Sequence, residues 1–258
     1  MLYRINRKQF VKNILATPQV WTNIIRDSEN FKSEYYFDET NVFYLSTNYG
    51  SGNVITIFSP YSESILKEAK QTFKDAIGFC FACQFEDYDC DKIKPTHRVS
   101  YLYKLFELRK NTSVDISIKK IIDDTDINDL ITYDNMYLSF LRENHGARLL
   151  NFWNREKENI TKGKKALYLA RNKENVLIGF IIINIFTELN ACDITQISIE
   201  DAFQNQGYGK QFLSQVVDDI QRKHYDIYYS SVNDDNIVSQ KVAERIGFSA
   251  VACEISIL

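Results

Sequence analysis

The chain has 258 residues, 45% of them hydrophobic and 25% charged, the make-up of a folded globular protein and not of a disordered one. That length exceeds one typical compact domain, so two domains, or one elaborated α/β unit, are expected. A net charge of -3, with no Lys/Arg run interleaved with aromatics, provides no field for a polyanion, so nucleic acid is not an expected partner.

The first residues, from Met1 to Phe10, lack the apolar stretch of a secretory signal. No uninterrupted apolar run approaches the roughly 18 residues of a membrane span. A cytoplasmic protein with no membrane partner is the expectation. Five cysteines, Cys80, Cys83, Cys90, Cys192 and Cys253, form an odd set without the spacing of a secreted disulfide framework, and read as reduced thiols.

In chain order, residues 41–47 and 53–58 read as a hairpin around a turn holding Gly50 and Gly52. Ile65, Leu66, Ala69 and Phe73 then recur at helical spacing, and 77–85 reads as a strand. The polar, turn-rich stretch 86–95 marks the approach to a domain connection. A smaller α+β domain is therefore expected over 1–112, and a second domain over 113–258.

In the second part, a strand at 114–118 precedes helices at 123–141 and 147–158, the first opened by an acidic cluster from Asp123 to Asp126. Residues 166–170 and 176–183 read as a hairpin whose second strand is apolar on both faces and so central. Then come a strand at 193–199, a glycine-bearing loop, and a helix with Phe212, Leu213, Val216, Val217 and Ile220 on one stripe. A strand at 226–232, a helix at 236–246 and a last strand from Phe248 complete the order.

The loop decides the chemistry. It reads Gln204, Asn205, Gln206, Gly207, Tyr208, Gly209. A P-loop would need glycine in place of Gln204 and Ser or Thr in place of Gln211, and a Rossmann fingerprint would need a small residue in place of Phe212. What remains is a strand–loop–helix junction whose glycines leave successive N–H groups uncovered at a helix N-terminus, where a diphosphate is stabilised. The same glycines also suit a tight turn that only permits helix–sheet packing. One strand later, Asn236 and Ser239 open a short helix that ends in Gly247 and Phe248, which singly reads as an ordinary helix with Asn236 as N-cap and Gly247 just past its end.

Taken together, residues 194–209 and 236–248 resemble the GCN5-related N-acetyltransferase (GNAT) superfamily. Its cofactor loop, Gln or Arg, two variable residues, Gly, a variable residue, then Gly or Ala, is filled at every place from Gln204 to Gly209. The resemblance covers about 114–258. It implies an α/β fold with a GNAT-like mixed sheet flanked by helices, and acetyl-CoA as cosubstrate without a metal. It implies that strand 194–199 splays from strand 226–232 and offers main-chain groups of Ile197, Ser198 and Ile199 to the pantetheine. Gln204, Asn205, Gln206, Gly207, Tyr208, Gly209 and Lys210 would cradle the diphosphate, and Asn236 would contact the cofactor beyond its thioester, with Ser239 beside it.

Acetyl transfer requires a neutral amine, and the thiolate leaves easily because a thiol pKa is only about 8.5. In the histone-acetyltransferase branch the general base is a carboxylate eleven residues before the loop's first Gln, the place of Asp193. Glu200, at the end of the same strand, is the second candidate; each also reads as a solvated charge at a strand terminus. Many members carry a tyrosine acid four residues before the Gly-Phe pair, where this chain has Ala243. Proximity alone supplies effective molarities of about 10⁵ M or more against roughly 10²–10⁴ for an acid, so activity survives without it. Tyr228 and Tyr229 are substitutes for that acid or packing groups.

Cys80 and Cys83, with Cys90 and His97, superficially suggest zinc, but residues three apart on a strand face opposite ways. Tyr35, Tyr36 and Phe37 suit a core or an acceptor pocket. The reading is an acetyl-CoA-dependent N-acetyltransferase acting on a primary amine, small molecule or peptide, whose first domain shapes the acceptor site; a homodimer is left open. The alternatives are a CoA-binding sensor or assembly protein without turnover, and a tandem acyltransferase using another carrier.

Overall fold

A computed structural model describes residues 2–15, 32–39, 42–48, 50–89, 91, 93–94, 96–110, 114–121 and 157–257. The chain divides into two compact units. The first comprises Met1–Tyr103, Ser230–Ser239 and Ala250–Leu258, the second Lys104–Tyr229 and Gln240–Ser249.

The first unit opens with β1 (Leu2–Ile5) and α1 (Arg7–Leu15), followed by β2 (Lys32–Asp38), β3 (Phe43–Asn48) and β4 (Asn53–Phe58). Next come α2 (Glu63–Thr72), β5 (Ala76–Gln84) and β6 (Arg98–Leu105). The expected hairpin, helix and strand are β3–β4, α2 and β5. Phe10 of α1 is buried against Tyr35 of β2, with ring centroids 4.8 Å apart, so Tyr35 serves the core. β4 and β5 are parallel and paired along all of β4, through Phe58 and Ala82. The C-terminal strand β12 (Phe248–Ile257) runs antiparallel to β5 over Ala252–Ile257, inside this unit.

β1, α1, β2 and β6 were not anticipated. β1 has four residues and β2 begins in Lys32, Ser33 and Glu34, so neither shows an apolar alternation. In β6 the buried residues are Val99, Leu102, Tyr103 and Leu105, a spacing that breaks period two.

The second unit holds a mixed sheet in the order β11-β10-β9-β8-β7. Its strands are β7 (Ile116–Ile121), β8 (Lys165–Asn172), β9 (Leu177–Phe186), β10 (Ala191–Ile199) and β11 (Asp226–Asn233), the last two parallel. β9 is central and buried over nearly its whole length, as its unbroken apolar run requires. α3 (Tyr208–Gln221) lays its stripe of Phe212, Leu213, Val216, Val217 and Ile220 on the sheet. α4 (Ile237–Ile246) leads to β12. The mixed sheet with flanking helices is the architecture expected. The helix expected at 123–141 lies outside the described residues, as does that at 147–158 except its last two, which open a helical turn at 157–161.

The succession of three strands, a helix and a strand occurs in each unit, β2-β3-β4-α2-β5 in the first and β8-β9-β10-α3-β11 in the second, and in both the last strand is parallel to the third, β5 to β4 and β11 to β10. The difference lies in how far that parallel pair runs.

Candidate active site

β10 and β11 pair only from Ala191–Asp226 to Ile194–Tyr229. β10 then continues to Ile199 with its β9 partners, Gln196 to Ile182 and Ile199 to Gly179. An extra residue, Thr195, bulges at the point where the parallel ladder stops, and its Oγ1 donates to the Ile182 carbonyl at 3.4 Å. A bulge bends its strand and re-aims the backbone beyond it. Ile197, Ser198 and Ile199 thus sit on a stretch held from the β9 side.

Glycine at 179 is what lets this stretch come close: a β-carbon there would collide with the Ser198 carbonyl and the Ile199 side chain. The sequence reading passed over Gly179, a lone glycine in an apolar run, although such a glycine signals close backbone approach.

After Ile199 the chain makes a single 3₁₀ turn, Asp201–Phe203, and enters the loop. Gln204 folds back, donating from Nε2 to the Ile199 carbonyl at 3.0 Å and to Asp201 Oδ1 at 2.7 Å. Gln206 Nε2 donates to the Ala202 carbonyl at 2.8 Å. Both amide side chains therefore brace the loop from behind. Asn205 and Gly207 take left-handed φ values of 59° and 87°, and the Phe203 and Tyr208 rings meet edge to face with centroids 5.7 Å apart.

Gly207 precedes α3 and no side chain caps the helix. The first helical bond runs from Gln211 N–H to the Gly207 carbonyl at 3.1 Å. The N–H groups of Tyr208, Gly209 and Lys210 thus have no acceptor within the helix, and the positive end of its dipole faces the loop. Residues 204–207 are exposed. The geometry and donor set fit the diphosphate of a coenzyme.

The two carboxylate candidates stand far apart. Asp193 is fully buried in the paired half of β10, in register with Asn184 on one side and Tyr228 on the other. Glu200 is exposed just past the strand's end, its N–H bonded to the Ile178 carbonyl at 3.0 Å. Seven residues of strand separate them by roughly 20 Å, so they cannot serve one amine together.

Ala243 is completely buried, and nothing the size of a tyrosine fits there without displacing the core. Tyr228 is 1% exposed; burial raises its pKa, while the Lys104 amine bonded to it opposes the rise. Tyr229 is buried with its ring 6.2 Å from Phe248, a packing role. In the first unit, Asn236 caps α4 by accepting the Ser239 N–H at 3.1 Å, and the Ser239 side chain is half-buried beside it.

Cys83 pairs across strands with Cys253, with Sγ atoms 3.4 Å apart in the core, whereas Cys80 pairs with Ser256. Cys90 lies outside the described residues. Among the described residues no cluster of His, Cys, Asp and Glu is arranged to hold a metal ion, and no helix is long and apolar enough to cross a membrane.

The family model for the acetyltransferase (GNAT) family matches residues 132–248. A [ribosomal protein bS18]-alanine N-acetyltransferase of Haemophilus ducreyi is 27% identical over 90 residues, 35% of this chain and 61% of that relative, so the match spans less than two thirds of its length. A GNAT-family acetyltransferase from Colwellia psychrerythraea superposes over 100% of both chains with a TM-score of 0.62 at 12% identity. A GCN5-related N-acetyltransferase from Sphaerobacter thermophilus covers 99% of this chain and 94% of its own, with a TM-score of 0.61 at 9% identity. Since the glycine loop and both of its supporting strands lie inside the matched segment, the C-terminal half of this chain belongs to the GCN5-related N-acetyltransferase superfamily, a family that uses acetyl-CoA.

Proposed function

We propose that this chain transfers an acetyl group from acetyl-CoA to a primary amine, with the chemistry carried by residues 113–258. The observation that carries this reading is the uncapped turn at Gly207: three helix-start N–H groups stand open directly after a strand whose parallel ladder ends early, at Ile194 and Tyr229. In this reading the amides from Gln206 to Lys210 hold the diphosphate. Ile197, Ser198 and Ile199 align the pantetheine by main-chain bonds, with the Ile199 carbonyl shared with Gln204. Asn236 offers its Nδ2 group while Oδ1 caps α4.

Reaction then rests on holding amine and thioester together, which is worth far more than a single general acid. The acceptor most compatible with this arrangement is an amine of low pKa. A lysine is neutral in well under one molecule in a thousand at pH 7, whereas an α-amino group near pKa 8 offers roughly a tenth. With Asp193 sealed in the sheet and Ala243 in place of a phenol, little machinery serves a strongly basic amine. The similarity to an alanine N-acetyltransferase leans the same way.

Calorimetric titration with acetyl-CoA and with CoA, followed by thiol release over a panel of peptide α-amines, small amines and lysine peptides, tests the reading. Acceptor-dependent thiol release supports it, fastest for α-amines. A second reading, a CoA-binding protein without turnover, draws on the buried Ala243; it predicts binding with no acceptor-dependent release.

A further inference from the structure

Two cysteines that the acetyl-transfer chemistry does not use face each other inside the first unit. β5 and β12 run antiparallel, and Cys83 stands directly opposite Cys253 in their register. Residues paired in this way hold their Cα atoms about 4.5–5.5 Å apart, inside the roughly 4.4–6.8 Å that a disulfide spans. The side chains already turn toward one another, with Sγ atoms 3.4 Å apart, and both are free thiols.

Their surroundings hold them there. Ile57, Phe81, Val99 and Ile255 belong to the same buried cluster, which leaves Cys83 4% exposed and Cys253 fully buried. The hydrogen bond from Cys253 draws the Cys83 thiol below its usual pKa against the effect of burial, and the same bond raises that of Cys253. Cys83 is thus the sulfur that ionises first, and the thiolate is the reactive form. Cys80 is placed differently. Three residues before Cys83, it lies on the other face of β5 and opposite Ser256, whose Oγ is 4.0 Å from its sulfur.

We propose that Cys83 and Cys253 are an oxidation site at which a peroxide forms a disulfide that pins the C-terminal strand to β5. The Cys83 thiolate attacks one oxygen of hydrogen peroxide. The O–O bond breaks, the sulfur is oxidised to a sulfenic acid, and the other oxygen leaves as water with the proton that Cys83 gave up. The Cys253 sulfur then attacks the Cys83 sulfur: the S–S bond forms, the S–O bond breaks, and a second water leaves with the Cys253 proton. Two thiols lose two hydrogens and one peroxide becomes two waters. Because the second sulfur is already in contact, the sulfenic acid is resolved before another peroxide carries it further. Hydrogen peroxide is little larger than water, which suits a pair buried in a core. The new bond joins residues 170 apart in sequence and so restricts a long loop of the unfolded chain.

The test treats the full chain with hydrogen peroxide at neutral pH, alkylates the remaining thiols under denaturing conditions and maps the peptides by mass spectrometry. A cross-linked pair joining Cys83 to Cys253 is expected, with loss of two of the five thiols and with Cys80 alkylated as in untreated protein. Cys80→Ser should keep the cross-link, and Cys253→Ala should instead leave Cys83 to accumulate sulfinic acid. The cross-linked chain should unfold at a urea concentration higher by roughly 0.5–1 M, a shift that a reductant present during unfolding removes. Recovery of Cys83 and Cys253 as free thiols, singly oxidised or linked to other cysteines would overturn the proposal, and an unchanged urea midpoint would overturn the pinning of β12. The wild-type map decides the first point even if the Cys253 variant folds poorly.

Discussion

The side-chain amide of Gln204 donates to the carbonyl of Ile199 at 3.0 Å, tying the glycine loop to the end of the strand from which it springs. The residue is exposed, so the bond serves loop geometry more than global stability. Gln204→Ala is expected to weaken acetyl-CoA binding about tenfold, the equivalent of one lost hydrogen bond of ~1.4 kcal/mol, and to leave the thermal midpoint nearly unchanged. Calorimetry beside a melting curve checks it. Unaltered affinity would mean that the loop holds its shape without Gln204.

At Gly247 the backbone has φ 108°, and a β-carbon would drive into the Glu107 carbonyl. The neighbouring bonds, Phe106 N–H to the Gly247 carbonyl at 3.3 Å and Arg109 N–H to the Ile246 carbonyl at 2.9 Å, prevent that segment from moving aside. Gly247→Ala should destabilise the protein by about 2–4 kcal/mol through backbone strain and displaced packing. Urea unfolding measures this, and a loss below about 0.5 kcal/mol would contradict the close approach.

One cosubstrate per chain is expected. In the first unit the strand pair equivalent to β10–β11 stays closed to the end of β4, and the turn after it, Ser59 to Ser62, has no glycine. Calorimetric stoichiometry near one, lost in Gly207→Trp, would agree. A value near two would require a binding mode that needs no opened ladder.

Asp193 and Glu200 make opposite predictions. Asp193→Asn should alter rates less than threefold with α-amines and lysine-type acceptors alike, because a carboxylate sealed in the sheet reaches no acceptor. Glu200→Gln, at the exposed end, should lower the rate with every acceptor, by about 10²-fold if the carboxylate is the base. Equal, negligible effects from both would leave proximity as the whole of catalysis.

Lys120 couples stability to pH. Its pKa is lowered in the folded state from 10.5 to about 8, so between those values the unfolded chain binds more protons and stability rises with pH. Below about pH 8 both states are protonated and the penalty on the folded form is complete. Lys120→Met should therefore raise the urea midpoint at pH 7, with the difference from wild type shrinking toward pH 10. A difference independent of pH would assign the effect to packing.

Much of the second unit was readable in the chain because its signals are local. The unbroken apolar run of β9, the stripe on α3 and the Gln204–Gly209 spacing each lie within one element or one turn, where side-chain period and glycine placement speak directly. The first unit was harder. β1 and β2 lean on neighbours instead of on their own alternation, and α1 is anchored by Phe10 against Tyr35, a contact with no counterpart in local pattern.

The sequence by itself determined the order of the described elements from β8 to β12, the glycine loop and the family that the loop implies, since all of these are written within short windows. Only the tertiary structure decided that the β10–β11 ladder ends at Ile194, that Asp193 is sealed while Glu200 is exposed, and that Cys253 lies against Cys83. Each of these depends on which strands become neighbours and where they part. Pairing between segments 170 residues apart, as for Cys83 and Cys253, leaves no trace in the periodicity of either strand.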